Sequence, residues 1–466
     1  MLNLIIKKEL KEIIGSSKFV YSFAVSALLI LLTFYVGAKT YQINKSQYDA
    51  AVAENIRSMS GITDWRMINH KIFLPPHPLS SLVSGISNDI GRNIAVRGRG
   101  ELSPTDSKYN EDPIYAVFRF LDLNFLFQII LSLFAILFCY NAVNGEKEKG
   151  TLRLVFSNAI PRDKFILGKI IGSYTALIIP LLIPILAGCL LLLIMNIPMT
   201  GEDWFKLFLI LIAGFLLFGV FINLSVFLST IVQRSSSSFL LLLVVWIMFI
   251  LIIPKVAVMI AGRAVDVPSV DEINSKKNQY AQQISREFMN KMSNFKASPS
   301  ADIMKEFQKF MEKNNTERDD KMKALTEKLN QERRNKQDVQ ENLAFTLSRI
   351  SPSASYSFVT AELAGTSLNL VRNYREQAEN YQKTFAKFQT DKTGGTTGGG
   401  MTFVIRTEGD NKPPEIKPSE LPKFEFTQPR LSGSLSSSLS DIGLLFIFNL
   451  IFFGASYMRF LKFDLR

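Results

Sequence analysis

Six stretches of the chain lack charged side chains for long enough to cross a bilayer. A helix rises 1.5 Å per residue, so about 20 apolar residues cover the ~30 Å hydrocarbon core. The first stretch is Phe19–Ala38, between Lys18 and Lys39. The second is residues 122–144, free of charge from Leu123 to Asn144. The third, residues 170–197, carries Pro180 and Pro184, which predict a kinked helix whose neighbours re-satisfy its backbone. Residues 207–232 and 237–253 follow, the latter ended by Pro254 and Lys255, and residues 442–458 make the last. Buried helices of a soluble protein do not yield six such windows. The pattern predicts an all-α polytopic membrane protein.

Orientation follows from basic residues in short connections. Lys7, Lys8, Lys11 and Lys18 precede the first span. Lys147, Lys149, Arg153, Arg162, Lys164 and Lys169 lie between spans two and three, Arg234 between four and five, and Arg459, Lys462 and Arg466 after six. Six crossings put all of these on one side, with Glu202, Asp203 and Lys206 in the short opposite loop. Both termini are thereby expected in the cytoplasm, in a cell inner (plasma) membrane.

Two segments fall on the other side. Residues 39–121 contain Pro75-Pro76-His77-Pro78-Leu79-Ser80 and then Gly85. The prolines fix an extended path, and a helix is expected from near Ser80. Residues 254–438 are larger. Tyr280, Ile284, Phe288 and Met292 form an apolar stripe at helical spacing. Later stripes take in Ile303, Phe307, Phe310 and Met311, then Met322, Leu325, Leu329, Val339 and Leu343. Roughly thirty such residues extend ~45 Å, enough for a hairpin standing clear of the membrane. Ser298-Pro299 interrupts it, and Ile350–Ala354 ends it. A further helix is expected from Tyr356 to about Thr390. A glycine-rich linker follows at 394–400, then a short strand at Met401–Arg406 and a proline-rich return from Pro413 to Pro429. Asn314-Asn315-Thr316 has the form of a glycosylation acceptor.

Composition narrows the chemistry. The net charge of +12 sits largely beside apolar blocks, where headgroups and topology account for it better than nucleic acid does. Two cysteines inside apolar runs, Cys139 and Cys189, make neither a disulfide framework nor a zinc site, and His70 and His77 are the only histidines. No span holds an Asp pair, a Ser-His pair or a His-Glu motif, so an intramembrane enzyme has little to work with. The polar span residues Asn124, Gln128, Asn141, Asn223 and Asn449 line a pathway or bond helix to helix. The absence of charge within the apolar windows argues against an ion-coupled carrier.

Residues 1–18 form an interfacial elbow: Leu2, Ile5, Ile6, Leu10, Ile13 and Ile14 are apolar, while Lys7, Lys8, Lys11 and Glu12 are polar. The connection at 145–169 begins Gly145-Glu146-Lys147-Glu148-Lys149-Gly150-Thr151-Leu152-Arg153 and runs through Leu154, Val155, Phe156, Ser157 and Asn158 to Ile160-Pro161-Arg162 and Leu167-Gly168-Lys169. A short charged helix held between two spans is either a lever that a soluble partner grips by its carboxylates or an ordinary loop. The residues alone leave both open.

This connection resembles the coupling helix of type-2 ABC export permeases. Glu146, Glu148, Gly150, Thr151, Leu152, Ser157, Arg162 and Lys169 match in order that family's acidic pair, Gly-Thr-Leu, Ser, Arg and Gly-Lys. Pro78-Leu79-Ser80, Ser351-Pro352-Ser353-Ala354 and the terminal Phe463-Asp464-Leu465-Arg466 are similar to a branch with a large extracytoplasmic domain between spans five and six. That branch includes permeases grouped with nitrous-oxide-reductase maturation and gliding motility. The resemblance implies that Glu146, Glu148, Gly150, Thr151, Leu152, Arg153, Ser157 and Arg162 couple to a separate ABC ATPase subunit. This chain has no Walker A lysine motif and would not itself be an enzyme; ATP and Mg would sit on that partner. A second permease chain, as a homodimer or related chain, is also implied. Two functions follow as expectations: an ATP-driven export permease, or a mechanotransmission protein whose extracytoplasmic domain acts on an envelope partner without substrate transport.

Overall fold

The computed structural model describes residues 2–68, 70–85, 93–96, 102, 104–105, 121–157, 160–295, 303–393, 417–429 and 431–462. Asn158, Ser298-Pro299, the 394–400 linker, the expected strand at Met401–Arg406, the start of the proline-rich return and the Phe463–Arg466 tail lie outside them.

Among the described residues, six helices are long and apolar enough to cross a membrane: Ser17–Arg57, Leu123–Glu148, Arg162–Ile194, Gly201–Ile231, Ser235–Ala264 and Leu431–Leu461. Each of the six takes in or runs beyond most of its charge-free window, because a helix needs apolar side chains only at the depth of the hydrocarbon and continues into the headgroups with charged ones. Thus Glu146, Lys169, Asp203, Lys206 and Asp441 belong to span helices although the apolar windows exclude them. The third helix runs through Pro180 and Pro184, and the fifth through Pro254. A π-helical turn, Met248–Ile252, precedes Pro254 and gives its ring the wider turn it needs. Another, Leu126–Leu131, interrupts span two.

Span four is the centre of the bundle. It packs on spans two, three and six, while span one packs on span three. Its apolar window is 67% buried, against 6% for span five. Glycines allow the close approaches: Gly188 of span three lies against the Phe34 ring of span one, and Gly214 of span four against Phe127 of span two. A side chain at either position would collide with the ring. The elbow helix Leu2–Ile14, the 144–157 segment and the C-terminal end of span six gather at one end of this bundle.

The opposite end carries a small domain built on a second apolar core. Strands β1 (His70–Phe73), β2 (Asn93–Val96) and β3 (Pro104–Thr105) form an antiparallel sheet in that order, with His70 opposite Val96. These strands are an addition to the helical expectation. Gly365, at φ 67°, ends the helix Pro352–Leu363 and separates it from Leu368–Thr393, so the single helix expected from Tyr356 to Thr390 is two. The second helix buries Tyr374, Ala378, Tyr381 and Phe385, one helical face, against the sheet. Phe424 and Phe426 of the returning chain close over it, with ring centroids 5.4 Å from Tyr381 and 5.9 Å from Tyr374. The expected helix near Ser80 is present at Pro78–Leu82.

Residues 251–351 form a separate compact unit. Ile253–Ala264, Val270–Ser293 and Ile303–Ser348 are its helices. Gln340 donates to the Val265 carbonyl, Arg333 to that of Pro268, and Lys291 pairs with Glu317 at 3.0 Å, a descending register that makes an antiparallel hairpin. The 46-residue arm extends about 70 Å, longer than the stripes alone imply. Ile273 and Ile284 are buried, whereas Met292 of the expected stripe is 41% exposed. Asn314 is buried in the long helix, its amide donating to the Phe310 carbonyl, a poor setting for glycosylation.

His70 sets a pH dependence for the small domain. The Tyr381 hydroxyl donates to the Pro422 carbonyl (2.7 Å) and accepts from His70 Nε2–H (2.9 Å), which leaves Nδ1 to accept from the Asn55 amide (3.3 Å). The ring is therefore neutral, and burial lowers its pKa to about 4. An unfolded histidine takes up its proton near 6.5, so stability is full above that pH and falls as pH drops toward 4, by about 3 kcal/mol. Hydrogen exchange at residues 70–73 should accelerate between pH 7 and 4.5 once corrected for intrinsic rates, and His70→Phe should flatten that dependence. An unchanged pH dependence in His70→Phe would contradict this.

Candidate functional site

Three side chains from distant parts of the chain meet at the elbow end. Lys169 Nζ lies 2.6 Å from Glu9 Oε2 of the elbow helix and 3.1 Å from Glu146 Oε1. Lys8 Nζ reaches the same Glu146 oxygen at 2.8 Å from the solvent side, and the Thr151 hydroxyl donates to the other. Lys169, Glu9 and Glu146 are 4%, 6% and 8% exposed; Lys8 is 46% exposed. Two carboxylates thus face two ammonium groups, which is the condition for holding charge where water is scarce. Burial pushes the Glu9 carboxyl above its usual range, against the opposing pull of Lys169.

The rest of the 144–157 segment is fixed by its own residues. Ser229 Oγ of span four accepts from the Val143 and Asn144 backbone N–H groups (2.9 and 3.1 Å) and donates to Asn144 Oδ1 (3.0 Å). The Glu148 carboxylate accepts from the Ser235 N–H (2.9 Å) and hydroxyl, at the first turn of span five. Gly150 adopts φ 72°, turning the chain between the helices Asn144–Glu148 and Thr151–Ser157. Leu152 is buried with Phe165, Ile166, Val226 and Phe460, and Phe156 stacks near Phe165 and Phe460 at 5.3 and 6.1 Å. Arg162 Nη1 donates to the Leu461 carbonyl (2.7 Å) at the end of span six. The segment therefore touches the elbow helix and spans three, four, five and six.

This geometry sorts the residues singled out by sequence. Glu146 faces inward and is unavailable as a handle, contrary to a grip by both carboxylates. Glu148, Gly150, Arg153 and Ser157 lie exposed, as does Leu154, whose 68% exposure is high for a leucine. Glu9, Lys8, Asn144, Ser229 and Ser235 were not singled out. A carboxylate at the centre of the buried face Ile5–Glu9–Ile13 is the signal that points to the first of them.

The polar span residues form two groups. Tyr174 donates to Asn449 Oδ1 (2.9 Å), and Asn223 Nδ2 lies 3.1 Å from both Tyr174 Oη and Asn449 Oδ1. Asn449 Nδ2 donates to the Leu216 and Leu445 carbonyls, so spans three, four and six are tied at mid-depth. Asn124 and Gln128 instead bind the helix Pro352–Leu363: Thr360 donates to Asn124 Oδ1 (2.6 Å), and Gln128 donates to the Ser353 carbonyl (3.0 Å) and the Ser357 hydroxyl. Tyr356 from that helix is fully buried in the bundle core beside Phe127. Asn141 is half-buried, packed against Gly145. Helix packing accounts for four of the five.

His77, from the proline-rich turn, lies 3.1 Å from Asp203, whose carboxylate also accepts from the Thr200 N–H and thereby caps span four. This anchors the small domain's entry turn to the end of the bundle opposite the elbow.

The model for the ABC-2 family transporter proteins matches residues 3–465. A probable ABC transporter permease protein, NosY of Stutzerimonas stutzeri, is 34% identical over 128 residues. That match takes in 26% of this chain and 45% of the relative, so the chain spans less than half the length of that protein.

The mid-depth cluster is directly testable. A methyl group at Gly219 would collide with the Tyr174 hydroxyl. Gly219→Ala should lower stability by roughly 1–3 kcal/mol, and distinctly less in a Tyr174→Phe background. Thermal unfolding of the detergent-solubilised single and double variants measures the coupling; strict additivity would refute the contact.

Proposed function

Since this chain belongs to the ABC-2 family of transporter proteins, we propose that it is the permease subunit of an ATP-driven exporter, coupled to a separate ATPase subunit at residues 144–157. The chain would sit in the cell inner (plasma) membrane with both termini in the cytoplasm, as its basic residues favour. The observation that carries the coupling site is the lever itself. Its inward side is bonded to the elbow and to spans three and four and packs on span six, and Glu148 ties it to span five, while Arg153, Leu154 and Ser157 remain exposed on its outer side. Glu146 and Thr151 serve as internal fasteners, Leu152 as the apolar anchor, Gly150 as the turn, Glu148 as the link to span five, and Arg162 as the link to span six.

ATP binding and Mg on the partner favour one arrangement of the spans only through contacts that differ between the two states. Closure of the ATPase would move the exposed face of the segment, and the bonds behind that face would carry the motion inward. A second permease chain completes the assembly in this reading; the poorly buried span five is an available face for it.

Mechanotransmission is the second reading, in which ATP-driven motion moves the extracytoplasmic helices against an envelope protein. It is favoured by the about 70 Å arm and by the engagement of Asn124 and Gln128 with the helix Pro352–Leu363, which leaves these two groups committed to the fold rather than to cargo. A candidate substrate that stimulates ATP hydrolysis in reconstituted vesicles favours export, and stimulation only by an outside protein favours transmission.

Arg153→Glu and Leu154→Arg are expected to weaken capture of the co-purifying ATPase by tenfold or more, about 1.4 kcal/mol or above. Glu146→Gln should leave capture within a few fold, because its side chain faces inward. Undiminished capture by both exposed-face variants, measured by pull-down at graded ATPase concentration, would exclude this docking face.

A further inference from the structure

Lys169 is the most deeply buried of the four charges at the elbow end, and its surroundings are shaped to hold it. Gly168 and Gly172 flank it one helical turn apart on span three. A Cβ at Gly168 would lie 2.7 Å from Ile5 Cγ2, and one at Gly172 2.7 Å from Glu9 Cβ. The two glycines thus let the elbow helix lie flush on span three, a small-residue contact of the kind used between helices in lipid. Between them Lys169 projects to Glu9 on one side and Glu146 on the other.

Burying such a group is an unusual way to gain stability. Well-packed apolar side chains in place of a buried ion pair are often as stable or more so, whereas removal of one partner leaves an uncompensated charge. What the ions add is geometry. Lys169 satisfies carboxylates on two elements at once, and the relative placements of those elements that meet both are few.

We propose that Lys169 is a positioning residue that joins the elbow helix, the 144–157 segment and span three into one body, so that force received at 144–157 reaches the elbow and span one. This rests on the permease reading. Motion of the segment then drags Glu146, Lys169 and Glu9 together, and the continuous path from Ile14 into Ser17–Arg57 carries it to span one. The Asn144–Ser229 and Glu148–Ser235 bonds serve spans four and five independently of Lys169.

The test uses the full chain with its co-purified ATPase in lipid nanodiscs. Hydrogen exchange is followed at residues 2–14 and 144–157 with and without a non-hydrolysable ATP analogue and Mg. In the wild type both segments respond to nucleotide. In Lys169→Met the 144–157 response and the KM for ATP persist within about twofold, while the 2–14 response falls at least fivefold; Lys169→Arg restores it. Should Lys169→Met fail to assemble, Glu9→Gln removes the elbow-side charge alone and should reduce the 2–14 response in the same way. A full 2–14 response in Lys169→Met or Glu9→Gln overturns the proposal, as does failure of Lys169→Arg to restore it. If the wild-type 144–157 segment ignores nucleotide, the permease reading falls. The nucleotide-free chain still decides whether the three elements are one body. There Lys169→Met should speed exchange at 2–14 about tenfold while Lys169→Arg does not, and equal exchange in all three proteins rules it out.

Discussion

A charge in a medium poor in water must be matched at once by its opposite, and the elbow end of this protein is organised around that requirement. Lys169 stands about two turns inside a long apolar helix, and no single neighbour neutralises its surroundings. Glu9 and Glu146 come from separate elements, Lys8 balances the second carboxylate, and Thr151 fills its remaining acceptor. Meeting these needs fixes where the elbow helix and the lever lie. Their apolar faces then follow: Ile5 against Gly168, Leu152 and Phe156 against Phe165 and Phe460.

The same principle works more gently elsewhere. At mid-depth, amides and a phenol do for spans three, four and six what the ions do at the elbow end, and Gly219 makes room for them. At the end opposite the elbow the helix Pro352–Leu363 offers hydroxyls and a carbonyl to Asn124 and Gln128. Three polar fasteners at three depths therefore help to hold a bundle whose other contacts are largely apolar and, in lipid, only weakly specific.

The six spans were legible in the sequence because hydrocarbon thickness demands long charge-free windows, and the short helical connection at 144–157 was legible because its glycine, acidic pair and apolar flank are contiguous. The fastening was less so. Glu9, Lys169 and Glu146 are far apart along the chain, and a periodicity argument joins only neighbours on one helix. The carboxylate in the Ile5–Glu9–Ile13 face and the Gly168–Gly172 spacing were its local traces. The sheet was hidden for a similar reason. His70–Phe73 and Asn93–Val96 are four residues each, pair across a long separation, and gain their burial from Tyr374, Tyr381 and Phe385 some three hundred positions away. Pro254 misled for the opposite reason: a local rule ended span five there, and the π-helical turn before it let the helix continue.

The central claim is that elbow and lever move as one. Spin labels on exposed positions report it directly: Lys11→Cys on the elbow, Lys149→Cys on the lever and Leu240→Cys on span five, each pair measured by pulsed electron resonance with the ATPase bound, with and without nucleotide. The account predicts that the elbow-to-lever distance holds within about 2 Å even where the elbow-to-span-five distance shifts. An elbow-to-lever distance that changes by more than that with nucleotide would contradict it.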